Sequence, residues 1–131
     1  MNDYTEYVPD CIVYLSRLGI TTDADDAFLR FCIERSIYRI LNMTNISDKV
    51  PERLKYVLCT MACGYYLKDQ YISGKLSTVF SFEKAVKQWT AGDTSYTYRD
   101  VVSPEENFQE MLEYMIDGRT KEIIKFRKIK W

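Results

Sequence analysis

The strongest constraint on the fold is an apolar pattern of helical period within residues 22–42. Residues three and four apart share one face of an α-helix, whereas a half-buried strand would alternate with period two. Thr22 or Asp23 can cap this helix, and Asp25 and Asp26 would then lie in its first turn, where negative charge is favourable. A long core helix is therefore predicted, with a buried stripe made of Leu29, Ile33, Ile37, Ile40 and Leu41.

Two further helices are predicted on either side of this segment. Residues 10–18 form a short apolar stretch that ends at Gly19, a typical residue at a helix C-terminus. Pro51 suits the first turn of the next helix, in which Gly64 is expected to serve close packing rather than catalysis. The buried stripe predicted for that helix is Leu54, Val57, Leu58, Met61, Ala62 and Tyr65.

A fourth helix is predicted near the end of the chain. Ser103 can cap it, Pro104 suits its first position, and Gly118 is expected to end it. Residues 74–84 show no clear period, so their conformation is left open. The apolar face predicted for the fourth helix is Phe108, Met111, Leu112 and Met115.

Residues 86–99 alternate with period two and predict a β-hairpin. Its three-residue loop would be residues 91–93, which contain one glycine. The expected cross-strand pairs are Val86 with Tyr98, Gln88 with Tyr96 and Trp89 with Ser95. The fold class expected from the whole sequence is mainly α, a bundle of about four helices with this hairpin between the third and the fourth and a basic C-terminal tail.

The predicted hairpin is expected to need a partner, because an isolated two-stranded hairpin is marginally stable in water. Its unpaired strand edges suit a strand from another chain. A second interpretation is that the hairpin caps the bundle, with Val86 and Trp89 tucked in. The residues expected at the hairpin interface are Trp89, Gly92, Asp93, Thr94, Tyr96 and Tyr98.

Charge divides the chain into two parts. Residues 119–131 hold six basic residues and one acidic residue, a net charge of +5, whereas residues 1–118 hold 12 basic and 18 acidic residues, a net charge of −6. We therefore expect a helical domain over residues 1–118 and a basic, apolar docking tail over residues 119–131. Three interpretations of this tail are open: it binds nucleic acid, it docks into a groove of an acidic protein, or it packs on its own bundle.

The sequence does not favour an enzyme or a metalloprotein. Histidine is absent, and the glycines are too scattered to form a phosphate-binding loop. Cys59 and Cys63 would share one helix face, but Cys11 and Cys32 do not complete a metal-binding spacing, so all four are expected to be reduced core residues. No cofactor and no membrane partner are expected, and the absence of a signal-peptide pattern predicts a protein that stays in the cytoplasm where it is made.

The order of the predicted elements resembles that of the head-tail connector proteins of tailed bacteriophages, also called adaptor or head-completion proteins. The resemblance covers residues 10–117 and rests on two short motifs. A Pro-Glu-x-Leu start opens the central helix, and a Gly-Asp-Thr turn opens the second hairpin strand. The matching residues are Pro51, Glu52 and Leu54 in the first motif and Gly92, Asp93 and Thr94 in the second.

This resemblance implies a structural subunit of the virion neck, without catalytic activity or cofactor. About twelve copies would form a ring that joins the portal protein of the DNA-filled head to a stopper or tail-completion protein. DNA would pass through the extended channel without specific binding, which suits an acidic body. The residues implied to dock on the portal are Ile123, Ile124, Lys125, Phe126, Arg127, Ile129 and Trp131.

Ring assembly would also explain the hairpin, since adjacent subunits could complete it. The alternative function is a small nucleic-acid-binding regulator that uses the basic tail, and its binding would weaken steeply with salt. A monomer in solution would not contradict the ring hypothesis, because a ring protein can assemble only on its portal.

Overall fold

Amphipathic α-helices make up most of the described chain, which comprises residues 4–76, 80–92 and 102–127 of a computed structural model. Short 3-10 helices precede the first and third of them, at Tyr4–Glu6 and Glu52–Leu54. The described residues contain no strand, so the prediction of a mainly helical bundle is confirmed. The helices are α1 (Val8–Arg17), α2 (Ala27–Thr44), α3 (Lys55–Ile72), α4 (Phe82–Gly92), α5 (Pro104–Asp117) and α6 (Thr120–Ile124).

The third helix is the centre of the bundle and packs against α1, α2 and α5. Its close approach to α5 depends on Gly64. A Cβ atom at this position would lie 2.9 Å from Met115 Cβ and 3.0 Å from Ile116 Cγ1. The glycine therefore lets two helix backbones pack closely, as its position inside an apolar helix predicted.

The second helix begins later than the sequence pattern predicted. Its N-cap is Asp26, whose Oδ1 accepts hydrogen bonds from the backbone amides two and three residues on, at 3.0 and 3.1 Å. The other oxygen, Oδ2, accepts from Thr22 Oγ1 at 2.9 Å and from the Tyr66 hydroxyl at 2.7 Å. The prediction of Thr22 or Asp23 as the cap is wrong, because Thr22 instead holds the capping carboxylate.

The predicted hairpin is wrong for its first strand, because residues 86–92 belong to α4. Ala85, Val86 and Trp89 are all buried, and their spacing places them on one face of a helix. The period-two pattern failed because burial follows this helical face rather than alternate residues. The second predicted strand, within residues 93–99, lies outside the described residues.

Four aromatic rings hold the start of α4 against the ends of α3 and α5. The Phe108 ring lies 5.7 Å from Tyr71, 5.5 Å from Phe80 and 4.9 Å from Phe82, measured between ring centroids. Tyr71 near the end of α3 and Phe80 just before α4 therefore both contact Phe108, so the connection between the two helices begins and ends beside the same ring. Aromatic residues at both ends of the unpatterned stretch 74–84 therefore anchor it to the core.

All four cysteines are free and buried. The hydrogen bond with Cys11 and burial both raise the pKa of the Cys59 thiol, and burial raises that of Cys32 to about 12. Among the described residues, no group of three or more histidine, cysteine or acidic side chains is placed to hold a metal ion. Within the same ranges, none of the helices has the length and apolar character needed to cross a bilayer.

Candidate interaction site

A wide groove of about 1060 Å³ lies between α2 and α3, and residues of the last turn of α5 line one part of it. We call it the α2–α3 groove. Three of the six large hydrophobic side chains that are exposed in the described part of the chain line it. They are Phe31 (57% exposed) and Tyr38 (59%) on α2 and Ile72 (70%) on α3.

The groove exists because α2 carries apolar side chains on two faces. Ile33 and Ile37 are buried in the core. Phe31 and Tyr38 are seven residues, or two turns, apart and therefore share one face of α2. Phe31 precedes Ile33 by two residues, a rotation of about 200° around the helix axis, so this face lies away from the core stripe. The core stripe accounts for only one face of α2, and the second apolar face is exposed.

Arg39 joins the three helices that form the groove. Its guanidinium donates hydrogen bonds to the Tyr65 hydroxyl at 2.8 Å and to the Ile116 carbonyl at 3.1 Å, and it forms an ion pair with Asp117. Burial lowers the pKa of Arg39, but the hydrogen bonds with Asp117 and Tyr65 outweigh it and leave the pKa raised. Arg35 lies above the Tyr65 ring, 4.3 Å from its centroid, and covers that side chain from outside.

Charges along the groove balance. Three acidic and three basic side chains line it, so it has no excess of positive charge with which to attract a polyanion. An apolar groove with both signs of charge suits a protein surface. The six charged residues are Glu34, Asp69 and Asp117, and Arg35, Arg39 and Lys68.

A second apolar surface lies on the opposite side of α3. Tyr56 precedes Ile72 by 16 residues, which places the two side chains about 160° apart around the helix axis. Tyr56 is 45% exposed, and Val13 on α1 is 56% exposed. Arg17 lies one turn after Val13 and lines a cleft of about 300 Å³ together with Tyr56. We call Val13, Arg17 and Tyr56 the Tyr56 surface.

The predicted docking residues of the C-terminal segment lie in different environments. Ile123, in α6, is 1% exposed and belongs to the hydrophobic core. Ile124 is exposed, as are Lys125 and Arg127, while Phe126 is half-buried against the core. The remaining two, Ile129 and Trp131, lie outside the described residues.

Arg119 is the first residue of this segment and holds it beside two tyrosine rings. Its guanidinium lies 5.7 Å from the Tyr56 ring centroid and 5.8 Å from that of Tyr114, and it donates a hydrogen bond to Glu122 at 2.8 Å. Gly118 permits the turn, since a Cβ atom there would lie 2.6 Å from the Tyr114 carbonyl oxygen. The C-terminal segment therefore begins beside the Tyr56 surface.

The predicted hairpin-interface residues are also divided. Trp89 is buried in α4, with its ring 5.5 Å from that of Tyr114 in an edge-to-face contact. Gly92 is the last residue of α4. The others, Asp93, Thr94, Tyr96 and Tyr98, lie outside the described residues.

Sequence reasoning missed the α2–α3 groove. Phe31 and Tyr38 lie off the aliphatic stripe of α2, and Ile72 lies off that of α3. Large apolar side chains outside the core stripe were the sequence signal that could have indicated this groove. The described geometry thus offers two opposed apolar surfaces and a partly buried basic segment.

Comparisons with known proteins identify the family of the chain. The family model described as "Phage gp6-like head-tail connector protein" matches residues 16–127, a range that includes the whole groove. Neither the curated proteins nor the solved structures yielded a match. Because the matched range covers most of the 131 residues, the chain belongs to the family of phage gp6-like head-tail connector proteins.

Proposed function

We propose that this chain is a ring subunit of the phage neck, which joins the portal protein of the DNA-filled head to a stopper or tail-completion protein. Family membership carries the proposal, since it makes the chain a structural component of the phage virion. The two opposed apolar surfaces support it, because each subunit of a ring must contact two neighbours through different faces. The role is structural rather than catalytic.

The C-terminal segment is the proposed contact with the portal. Ile123 anchors it in the core, which leaves Ile124, Lys125 and Arg127 exposed for a partner. An apolar side chain beside two cations suits a pocket with an acidic rim, where the cations would speed association and set the register. The part of the segment beyond Arg127 would extend the same contact through Ile129 and Trp131.

The residues that follow α4 are a proposed contact with a neighbouring subunit or with the tail side. Trp89 is buried and would act by holding the end of α4 against Tyr114. Asp93, Thr94, Tyr96 and Tyr98 would make the contact itself. Their hydroxyl groups and the one carboxylate suit the polar rim of a protein interface.

DNA is proposed to pass along an acidic body. The outer face of α5 exposes Glu105, Glu106 and Glu113, which repel phosphates and would let DNA slide without binding. The exposed cations Lys125 and Arg127 favour a second candidate function, in which the C-terminal segment binds nucleic acid. The charge of the body opposes that function, so the neck ring is the better supported of the two.

The test uses portal-containing, DNA-filled heads and counts bound copies by electron microscopy. The variant Ile124→Asp, Lys125→Glu and Arg127→Glu changes exposed residues only, and it keeps Ile123 so that the fold is retained. Its matched control is Lys84→Glu, an exposed charge reversal on α4. We expect a ring of about twelve copies for the parent chain and the control, and loss of most copies for the variant.

Two results would contradict the proposal. One is heads that bind no ring of the parent chain and yet join tails normally. The other is a gel shift of free DNA that falls steeply with salt and disappears in the Ile124, Lys125 and Arg127 variant, because it would move the function to nucleic-acid binding.

A further inference from the structure

We propose that the α2–α3 groove of one copy receives the Tyr56 surface of the next copy, and that this contact closes the neck ring. The inference rests on the proposed function, which requires a ring, and it adds which faces meet. Its occupant is a second copy of this chain.

The placement of the two surfaces is the first argument. A closed ring of more than two copies needs a heterologous interface, in which a patch on one face of the subunit meets a different patch on another face. Ile72 and Tyr56 point in directions about 160° apart around α3. A subunit with binding surfaces on nearly opposite sides can make the same contact with each of its two neighbours in a ring.

Composition is the second argument. Exposed aromatic side chains and arginine are enriched at protein interfaces, and both surfaces contain them. Phe31 and Tyr38 line the groove, and Tyr56 and Arg17 belong to the Tyr56 surface. Each surface leaves large apolar side chains in water that the core of the same chain does not cover.

Charge is the third argument. In the described part of the chain, Arg17 on the Tyr56 surface forms no ion pair, and neither do Glu34 and Asp69 at the groove. A guanidinium brought against these carboxylates would find the partner that each copy lacks alone. The balanced charge of the groove as a whole disfavours nucleic acid as its occupant.

A crosslinking experiment on assembled heads tests which faces meet. Val13→Cys and Ile72→Cys place one thiol on each surface, at apolar positions that are 56% and 70% exposed. The four native cysteines are buried, so the parent chain provides a low background. Heads carrying the double variant are treated with a short bismaleimide and analysed by denaturing electrophoresis.

We expect the double variant to give a ladder that rises in steps of one 15.5 kDa chain up to the full ring. Each single variant should give no ladder, because each contact joins one groove to one Tyr56 surface. The matched control pairs Ile72→Cys with Glu113→Cys, an exposed position on the outer face of α5, and should give at least tenfold less crosslinked product.

The outcomes separate the inference from the proposed function. A ring visible on the heads without a ladder from the double variant overturns the inference and leaves the neck function intact. Dimers from Ile72→Cys alone also overturn it, since they would mean that two grooves face each other. Absence of any ring for the parent chain overturns the proposed function, and the inference falls with it.

Discussion

Gly64 controls how closely α3 and α5 pack, and Gly64→Ala tests whether that contact matters. Two effects oppose each other. Alanine is favoured over glycine inside a helix by about 1 kcal/mol. Against this, the new methyl group would meet Met115 Cβ at 2.9 Å and Ile116 Cγ1 at 3.0 Å, well inside the usual separation of about 3.5–4.0 Å for two carbon atoms.

The clash should win. Met115 Cβ is attached directly to the backbone of α5, so no change of side-chain rotamer moves it away, and the two helices must separate. Overpacking of this kind typically costs about 1–3 kcal/mol, and the upper half of that range applies when backbone has to move. Subtracting the helix-propensity gain leaves a net loss of about 1–2 kcal/mol.

Thermal and urea unfolding of the purified chain measure this loss. We expect Tm to fall by about 4–8 °C for a chain of this size. The control is Lys68→Ala, an exposed change on the same helix, which should stay within about 0.5 kcal/mol of the parent chain. A Gly64→Ala variant that is more stable by about 1 kcal/mol would refute the reasoning, because propensity alone would then decide.

Three further predictions concern the core. Asp26→Ala should lower stability by about 1–2 kcal/mol at pH 7 through loss of the helix cap. Burial alone would raise the pKa of Asp26, but the hydrogen bonds that its carboxylate accepts hold that pKa below the ordinary value. The ionised carboxylate therefore stabilises the fold fully above the ordinary Asp pKa of about 4. The difference between parent and variant should shrink as the pH falls below that value towards the lowered pKa of the folded state, as urea titrations at several pH values can check. In a Trp131→Phe background, Trp89 should emit at short wavelength and resist acrylamide quenching, whereas an emission maximum typical of water would contradict the burial of Trp89 in the core. Cys32 and Cys59 should react with a thiol reagent at pH 8 only after denaturation, and fast labelling of the native chain would contradict their burial.

The positions of α2, α3 and α5 could be predicted from the sequence because each of these helices has a clear aliphatic stripe that faces the core. The stripe of α2, built on Ile33 and Ile37, and that of α5, built on Met111 and Met115, are both buried as predicted. Local residue spacing is enough for such elements, since the side chains that define the pattern are the ones that the bundle covers.

The part of α4 from residue 86 onward could not be predicted, because its residues fit two periods equally well. Val86 and Gln88 alternate as a strand would, and Val86 and Trp89 also share a helix face. The choice is made by contacts far along the chain, above all that of Trp89 with Tyr114. The groove was missed for a similar reason, since an exposed Phe31 or Tyr38 is recognised as unusual only when the core is known.

The aromatic cluster around Phe108 has a practical consequence for imaging the assembly. Since Tyr71 and Phe80 both contact that ring, the chain leaves the core and returns to it at one point. Gly74 lies between them, with a positive φ of 71° and no atom within 4 Å of the position that its Cβ would occupy. A short epitope inserted after Gly74 would lengthen a connection whose two described ends are already held by the core, at a cost of about 0.6 kcal/mol for each doubling of its length. Antibody fragments bound to such a tag would label every copy at one known height, and so reveal the orientation of the subunit along the axis of the neck.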